Sequence, residues 1–142
     1  MPNAHAVLAD AGPLVALFDR DDSHHARCVE AFKTIRGPLM TVWPVLAEAM
    51  YLLGFSLQAQ ENLWELVERG GMRIADLTVA DVPRLRALMR KYHDRPMDLA
   101  DAALVRLAER ERLRTIFTLD HADFRIYRAH GKPFTLIPET LK

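Results

Sequence analysis

The sequence predicts an α/β fold: a three-layer α/β/α sandwich around a mostly parallel sheet of about five strands. Two observations carry that prediction. Short apolar runs alternate with amphipathic stretches along the chain, the pattern of a parallel sheet covered by helices on both faces. The 142 residues, half of them hydrophobic and 27% charged, suffice for one domain with its own core, so residues 1–142 are expected to fold as a unit.

Residues 6–9, Ala-Val-Leu-Ala, predict a first strand that ends at Asp10. Leu14, Val15, Leu17 and Phe18 then recur at helical spacing. Asp21, Asp22 and Ser23 form a polar break that can cap a second helix over 24–35. Gly37-Pro38 punctuates the chain, and residues 39–42 predict a second strand. Pro44 suits the first turn of a helix, where its missing N–H costs nothing, and Gly54 suits the stop. Residues 57–68 predict a further helix closed by Gly70-Gly71, and residues 72–75 a third strand. Thr78 with Asp81 resembles a capping box and opens a helix to about Tyr92. Residues 98–112 place Leu99, Ala102, Ala103, Leu107 and Ala108 on a core-facing helical stripe. Residues 115–119 predict a fourth strand ending at Asp120, and residues 134–137 a fifth.

Composition excludes several classes. Cys28 is the only cysteine, so no internal disulfide forms and a reducing, cytoplasmic setting is expected. The first ten residues carry no basic segment before an apolar run, so no signal peptide is expected. No apolar stretch approaches the roughly 18 to 20 residues of a membrane span. The formal net charge is zero, but its distribution is uneven. Residues 1–83 hold 6 Lys/Arg against 11 Asp/Glu, whereas residues 84–128 hold 11 against 7. Fifteen of the 19 basic residues are Arg, which suits bidentate contact with phosphate.

The acids carry the chemistry. In open parallel sheets, sites form beyond the carboxyl ends of the strands. Asp10 and Asp120 directly follow the first and fourth predicted strands. Glu48 lies just over a turn into the helix after the second strand, and Asp98 and Asp101 open the helix before the fourth. Asp123 is three residues beyond Asp120. Individually, Asp10, Asp98, Asp101, Asp120 and Asp123 could serve as helix or turn caps. Glu48 interrupts an apolar run, Val45 to Met50, where a lone carboxylate would be costly to bury. Gathered at one edge, these acids would repel one another unless cations neutralised them. Hard divalent ions with oxygen ligands do so, and such sites hydrolyse phosphodiesters. No Cys/His cluster has zinc spacing, and the adjacent His24 and His25 read as surface or capping residues.

Four stretches carry a family resemblance: AVLADAGPLVALFDRDDSHH at 6–25, VWPVLAEAMYLL at 42–53, MDLADAALVRLAER at 97–110 and IFTLDHADFRIYR at 116–128. In this order they resemble a PIN domain, particularly the VapC-type toxin ribonucleases of bacterial toxin–antitoxin pairs. The resemblance implies a PIN-like fold, cleavage of RNA, Mg²⁺ or Mn²⁺ as cofactor, a homodimer, and a small antitoxin partner. Its four acidic positions map onto Asp10, Glu48, Asp101 and Asp120. Asp10, Asp101 and Asp120 are expected to hold the metal, with Asp123 supporting them and Asp98 further out. Glu48 is expected to orient or deprotonate the attacking water. Arg95 and Arg125, which flank the acidic motifs, are expected to position phosphates. The chain departs from the family pattern in one place. A Ser, Thr or Asn often stands within two residues of the first acid, and here those positions are Ala11 and Gly12.

Three other readings compete. A PIN-like scaffold that binds RNA or protein without cutting draws its support from that departure. A phospho-accepting receiver domain wants adjacent acids after the first strand and a Lys-Pro step after the last, but this chain has Asp10 alone, and Lys132-Pro133 precedes the fifth strand. A dehalogenase-like phosphatase needs a second Asp where Gly12 stands.

Overall fold

The computed structural model describes residues 5–141. Three strand–helix–helix units come first. They are β1 (Val7–Ala9), α1 (Ala11–Phe18) and α2 (His25–Thr34); β2 (Leu39–Val42), α3 (Trp43–Leu52) and α4 (Leu57–Glu68); and β3 (Met72–Ala75), α5 (Val82–Lys91) and α6 (Leu99–Glu111). After them come β4 (Thr115–Phe117), the one-turn helix α7 (His121–Phe124), the short strands β5 (Arg128–Ala129) and β6 (Lys132–Pro133), and β7 (Thr135–Ile137).

The main sheet has five strands in the order β3-β2-β1-β4-β7, and every neighbouring pair is parallel. Parallel neighbours need crossover helices, and crossovers are right-handed. The path steps from β1 to β2 to β3, then returns across the sheet to β4. That reversal puts α1 to α4 on one face and α5 and α6 on the other. It also creates a switch point between β1 and β4, the crevice where open α/β sheets bind ligands. Leu8 pairs with Ile116 and Ala9 with Phe117 across it, so Asp10 leaves the sheet beside Thr118, with Asp120 two residues beyond. β1 and β2 are buried throughout, as strands covered on both faces must be.

Local chemistry sets the element ends. Ser56 caps α4 by accepting from the Ala59 amide at 3.1 Å. Pro44 lies in the first turn of α3. The Thr78–Asp81 capping box forms, but it opens a 3₁₀ turn, Val79–Asp81, before α5 begins. Pro83 cannot donate to the residue-79 carbonyl, so a continuous α ladder from Thr78 is impossible.

The end of the chain differs from the sequence reading. The fourth strand stops at Phe117 rather than Leu119. The Thr118 hydroxyl accepts from the Asp120 amide at 3.0 Å and turns the chain off the ladder. Residues 121–124 are helical, and β5 and β6 pair as a small antiparallel hairpin. Two-residue strands leave no alternation to read, and that hairpin was not predicted.

The deepest helix is α6, with Ala102, Ala103, Leu104, Val105, Leu107 and Ala108 essentially sealed from solvent. Two buried acids tie it to α5. Glu109 accepts two bonds from Arg84 Nε and a third from Arg84 Nη2 at 2.7 Å. Asp81, 3% exposed, takes Arg106 Nε at 2.8 Å and Arg110 Nη1 at 3.2 Å. The Thr78 amide first, then Arg106, holds the Asp81 carboxyl below its ordinary pKa. A depressed folded pKa means that this contribution is present above the unfolded value, about 3.9, and fades as pH falls through the folded one. Asp81→Ala is expected to lose about 2 kcal/mol of unfolding free energy in urea at neutral pH, from one cap and a partly solvated ion cluster. The gap to wild type should narrow in acid, and a gap that widened there would contradict this account.

Candidate metal centre at the carboxyl edge of the sheet

Asp10 follows β1 and is 9% exposed. Its Oδ1 accepts from the Ala11 amide at 2.9 Å, capping α1, and its Oδ2 accepts from the Thr118 hydroxyl at 2.8 Å. Burial raises its pKa to about 6, with Glu48 and Asp98 adding repulsion against the lowering effect of the two hydrogen bonds. Asp98 caps α6 by accepting from the Asp101 amide at 2.8 Å. Asp101, one turn further in, is pushed to about 7 by burial, then by Asp98 and Asp10. The Tyr127 hydroxyl donates to its Oδ2 at 3.1 Å. Asp120 caps α7 through the Asp123 amide at 3.3 Å and is raised to about 6, again chiefly by burial. Asp123 accepts from Arg95 Nη1 at 2.9 Å.

Asp101, Asp120 and Asp123 each present a carboxylate oxygen within 4.8 Å of the other two. A magnesium ion with oxygens at about 2.1 Å spans at most about 4.2 Å between opposite ligands. Adjacent ligands on such an ion lie about 3 Å apart, so the three side chains would close in around it as it binds. An all-carboxylate set suits a hard divalent cation and no softer metal. Asp10 lies outside this tight trio, yet its charge acts on both Asp101 and Asp120.

Glu48 is exposed on α3, so the sequence argument from the cost of burying it does not hold. The helix turns Val45, Leu46 and Ala49 inward and leaves Ala47 and Glu48 outside. Its pKa is raised by desolvation first and then by Asp98, which sets Glu48 at the rim of the acidic group. Arg95 sits at the same rim, engaged by Asp123. Arg125 is exposed and lines a different cleft with Arg27, Glu30 and Pro138, which none of these carboxylates lines.

Two residues of the site escaped sequence reading. Thr118 is fully buried and joins Asp10 to the Asp120 backbone through one hydroxyl. It gives Asp10 a hydroxyl partner from β4's end, where the chain has none at positions 11 and 12. Tyr127 is also fully buried, packed edge-on against Tyr92 and Phe124 at 5.0 and 5.1 Å, which aims its hydroxyl at Asp101. In sequence both look like ordinary core residues, and only the step Thr-Leu-Asp hints at a turn.

A sequence model of the PIN domain matches residues 7–129. Ribonuclease VapC26 of Mycobacterium tuberculosis is 33% identical over 135 residues, covering 93% of this chain and 100% of that protein. The crystal structure of Mycobacterium tuberculosis VapC20, described as a sarcin-ricin loop cleaving toxin, aligns with a TM-score of 0.74 at 15% identity, over 81% of this chain and 90% of that one. A toxin-antitoxin complex from Klebsiella pneumoniae gives 0.65 at 19% identity, over 83% and 89%. VapBC2 from Rickettsia felis, bound to a DNA fragment from its promoter, gives 0.64 at 17%, over 92% and 98%. At these identities the structural likeness establishes a shared fold.

The raised carboxylates fix a pH dependence for the metal-free protein. Asp10, Asp101 and Asp120 keep protons when folded that the unfolded chain has released. Their stabilising contribution is full below about pH 4 and is lost as pH rises through 6 to 7. In chelator, the thermal midpoint should fall between about pH 5 and about pH 8, and Asp101→Asn should flatten the fall. Added Mn²⁺ should raise the midpoint more at the higher pH, where the ligands are ionised. An equal response at both pH values would count against a carboxylate site.

Proposed function

The chain belongs to the PIN-domain family, and from that premise we propose that it is a single-domain, divalent-metal-dependent endoribonuclease acting as the toxin of a toxin–antitoxin pair. The observation that carries the proposal is the convergence of Asp101, Asp120 and Asp123, with Asp10 coupled to them, at the switch point of the sheet. The name of its ribonuclease relative supports RNA as the substrate.

Asp101, Asp120 and Asp123 would hold Mg²⁺ or Mn²⁺, with Asp10 completing the coordination directly or through water. When bound, the ion would polarise the scissile phosphate and activate water. The remaining roles belong to the chain itself. Thr118 keeps Asp10 turned toward the site, and Tyr127 does the same for Asp101. Glu48, exposed and with a raised pKa, is suited to accept a proton from the attacking water. Arg95 neutralises Asp123 and can reach toward an entering phosphate. Arg125, in its separate cleft, would contact RNA only beyond the cleavage site.

An antitoxin partner is supported by structural neighbours that are toxin–antitoxin complexes. A homodimer is supported by exposed apolar side chains on α3, α4 and their connection: Tyr51, Leu52, Phe55, Leu57 and Trp64. A cytoplasmic setting is supported by the free, buried Cys28, and no helix of the described residues is long and apolar enough to cross a membrane. The non-cutting scaffold keeps its support in Ala11 and Gly12, whereas the retained acids favour the nuclease reading.

Asp101→Asn and Asp120→Asn should each slow single-turnover cleavage of RNA by roughly 100-fold or more, as expected when charge stabilisation at the reacting phosphate is removed. Chelation should abolish cleavage, and Mn²⁺ should restore it. Glu48→Gln should lower kcat while leaving KM for RNA nearly unchanged. Undiminished cleavage in excess chelator would refute the metal-dependent reading.

A further inference from the structure

At the other end of the sheet, where β4 and β7 begin, the hairpin of β5 and β6 leans on the end of α6. There a cavity of about 370 Å³ is lined by Arg112, Arg114, His130 and Lys132, with no acidic residue among its walls. Five other basic residues of this half are engaged, whereas Arg86, Arg90 and Arg125 are exposed and scattered rather than gathered around one cavity. Arg84 binds Glu109, Arg95 binds Asp123, Arg106 and Arg110 bind Asp81, and Arg128 caps the carbonyls of residues 125–127. Arg112, Arg114 and Lys132 make no side-chain hydrogen bond or ion pair with any described residue.

The walls are held in place. His130 Nε2 bonds the Glu109 carbonyl at 3.0 Å, fastening the hairpin to α6. The Thr135 amide donates to the Arg114 carbonyl at 2.7 Å, fastening β7 to the same loop. Arg112 ends α6 in the left-handed region at φ 58°, a position that usually selects glycine. The C-terminal dipole of α6 favours a cation beside it, which accounts for Arg112. It does not account for Arg114 and Lys132, which lie outside the helix and converge on the same space. Three cations around a cavity repel one another, and an anion between them relieves that repulsion.

We propose that this pocket is a second RNA contact, binding a backbone phosphate of the substrate remote from the cleavage site. The proposal rests on the reading of RNA as substrate. Its ligand chemistry is a phosphate group held by guanidinium forks and one ammonium. Asp101 and Arg112 are eleven residues apart on and just beyond α6, about 16 Å along its axis. RNA engaged at both ends must therefore extend well past the scissile bond. The pocket contributes affinity and a preference for longer or folded RNA, and takes no part in the chemical step.

The test compares wild type with Arg114→Gln/Lys132→Gln. Binding of a fluorescent RNA hairpin is measured by anisotropy in chelator across a salt series, and cleavage of a dinucleotide is measured with Mn²⁺. The double variant should bind the hairpin about tenfold more weakly at low salt, with the slope of log affinity against log salt reduced by about 0.9, the value for one phosphate contact. Its thermal midpoint and dinucleotide cleavage should match wild type. Unchanged hairpin affinity and slope would overturn the proposal. Inorganic phosphate, titrated against the backbone amides of residues 112–114 and 132, separates the two sources of the anion. If it shifts those amides while hairpin binding is unaffected by the variant, the pocket serves a free anion and the RNA assignment falls. Because binding is read without metal, loss of the nuclease reading would appear in the dinucleotide arm alone.

Discussion

Like charges forced together at low dielectric shape the working end of this molecule. β1 and β4 are neighbours in a parallel sheet, so the acids that follow them share one edge. Burial and mutual repulsion hold Asp10, Asp101 and Asp120 well above the ordinary carboxylate range. Such a group is costly unless something offsets it. The chain offsets part of it locally. Asp10, Asp98 and Asp120 each cap a helix and meet its partial positive charge. Thr118 and Tyr127 donate hydroxyls, and Arg95 places a guanidinium on Asp123. What the chain leaves uncompensated would favour a bound cation, as proposed above.

That arrangement demands a rigid support, and α6 provides it. The helix carries Asp98 and Asp101 at its start and ends at the basic pocket beside Arg112. Its middle is sealed in the core, so neither end moves independently. The buried Asp81 and Glu109 clamp it to α5 through Arg84, Arg106 and Arg110. One helix thus links two sites of opposite charge at opposite ends of the sheet. This polarity is what the proposed substrate, anionic along its whole length, would call for.

Thr118 gives Asp10 a hydroxyl partner from far along the chain. Ala11 and Gly12 offer no hydroxyl beside the first acid. The hydroxyl comes instead from a strand end 108 residues later, and the same oxygen bends the chain into α7. A single buried group orients Asp10 and fixes the departure of Asp120, so the two acids are coupled through structure as well as through charge.

The sequence alone determined the strand–helix alternation, most element positions and which acids follow the central strands. These depend on local periodicity, caps and turn residues, which neighbours in the chain encode. Asp10 and Asp120 could be placed at one sheet edge because each ends an apolar run. Tertiary structure decided the rest. It put Glu48 on the solvent side of α3, moved Arg125 to another cleft and brought Asp123 into one tight group with Asp101 and Asp120. It revealed Thr118 and Tyr127 as partners of acids far away in sequence, and it assembled the basic pocket from a helix end and a hairpin too short to predict. Each of these depends on the strand order and on which side chains face one another across elements. Such pairings arise only when the chain closes on itself, and no local pattern carries them.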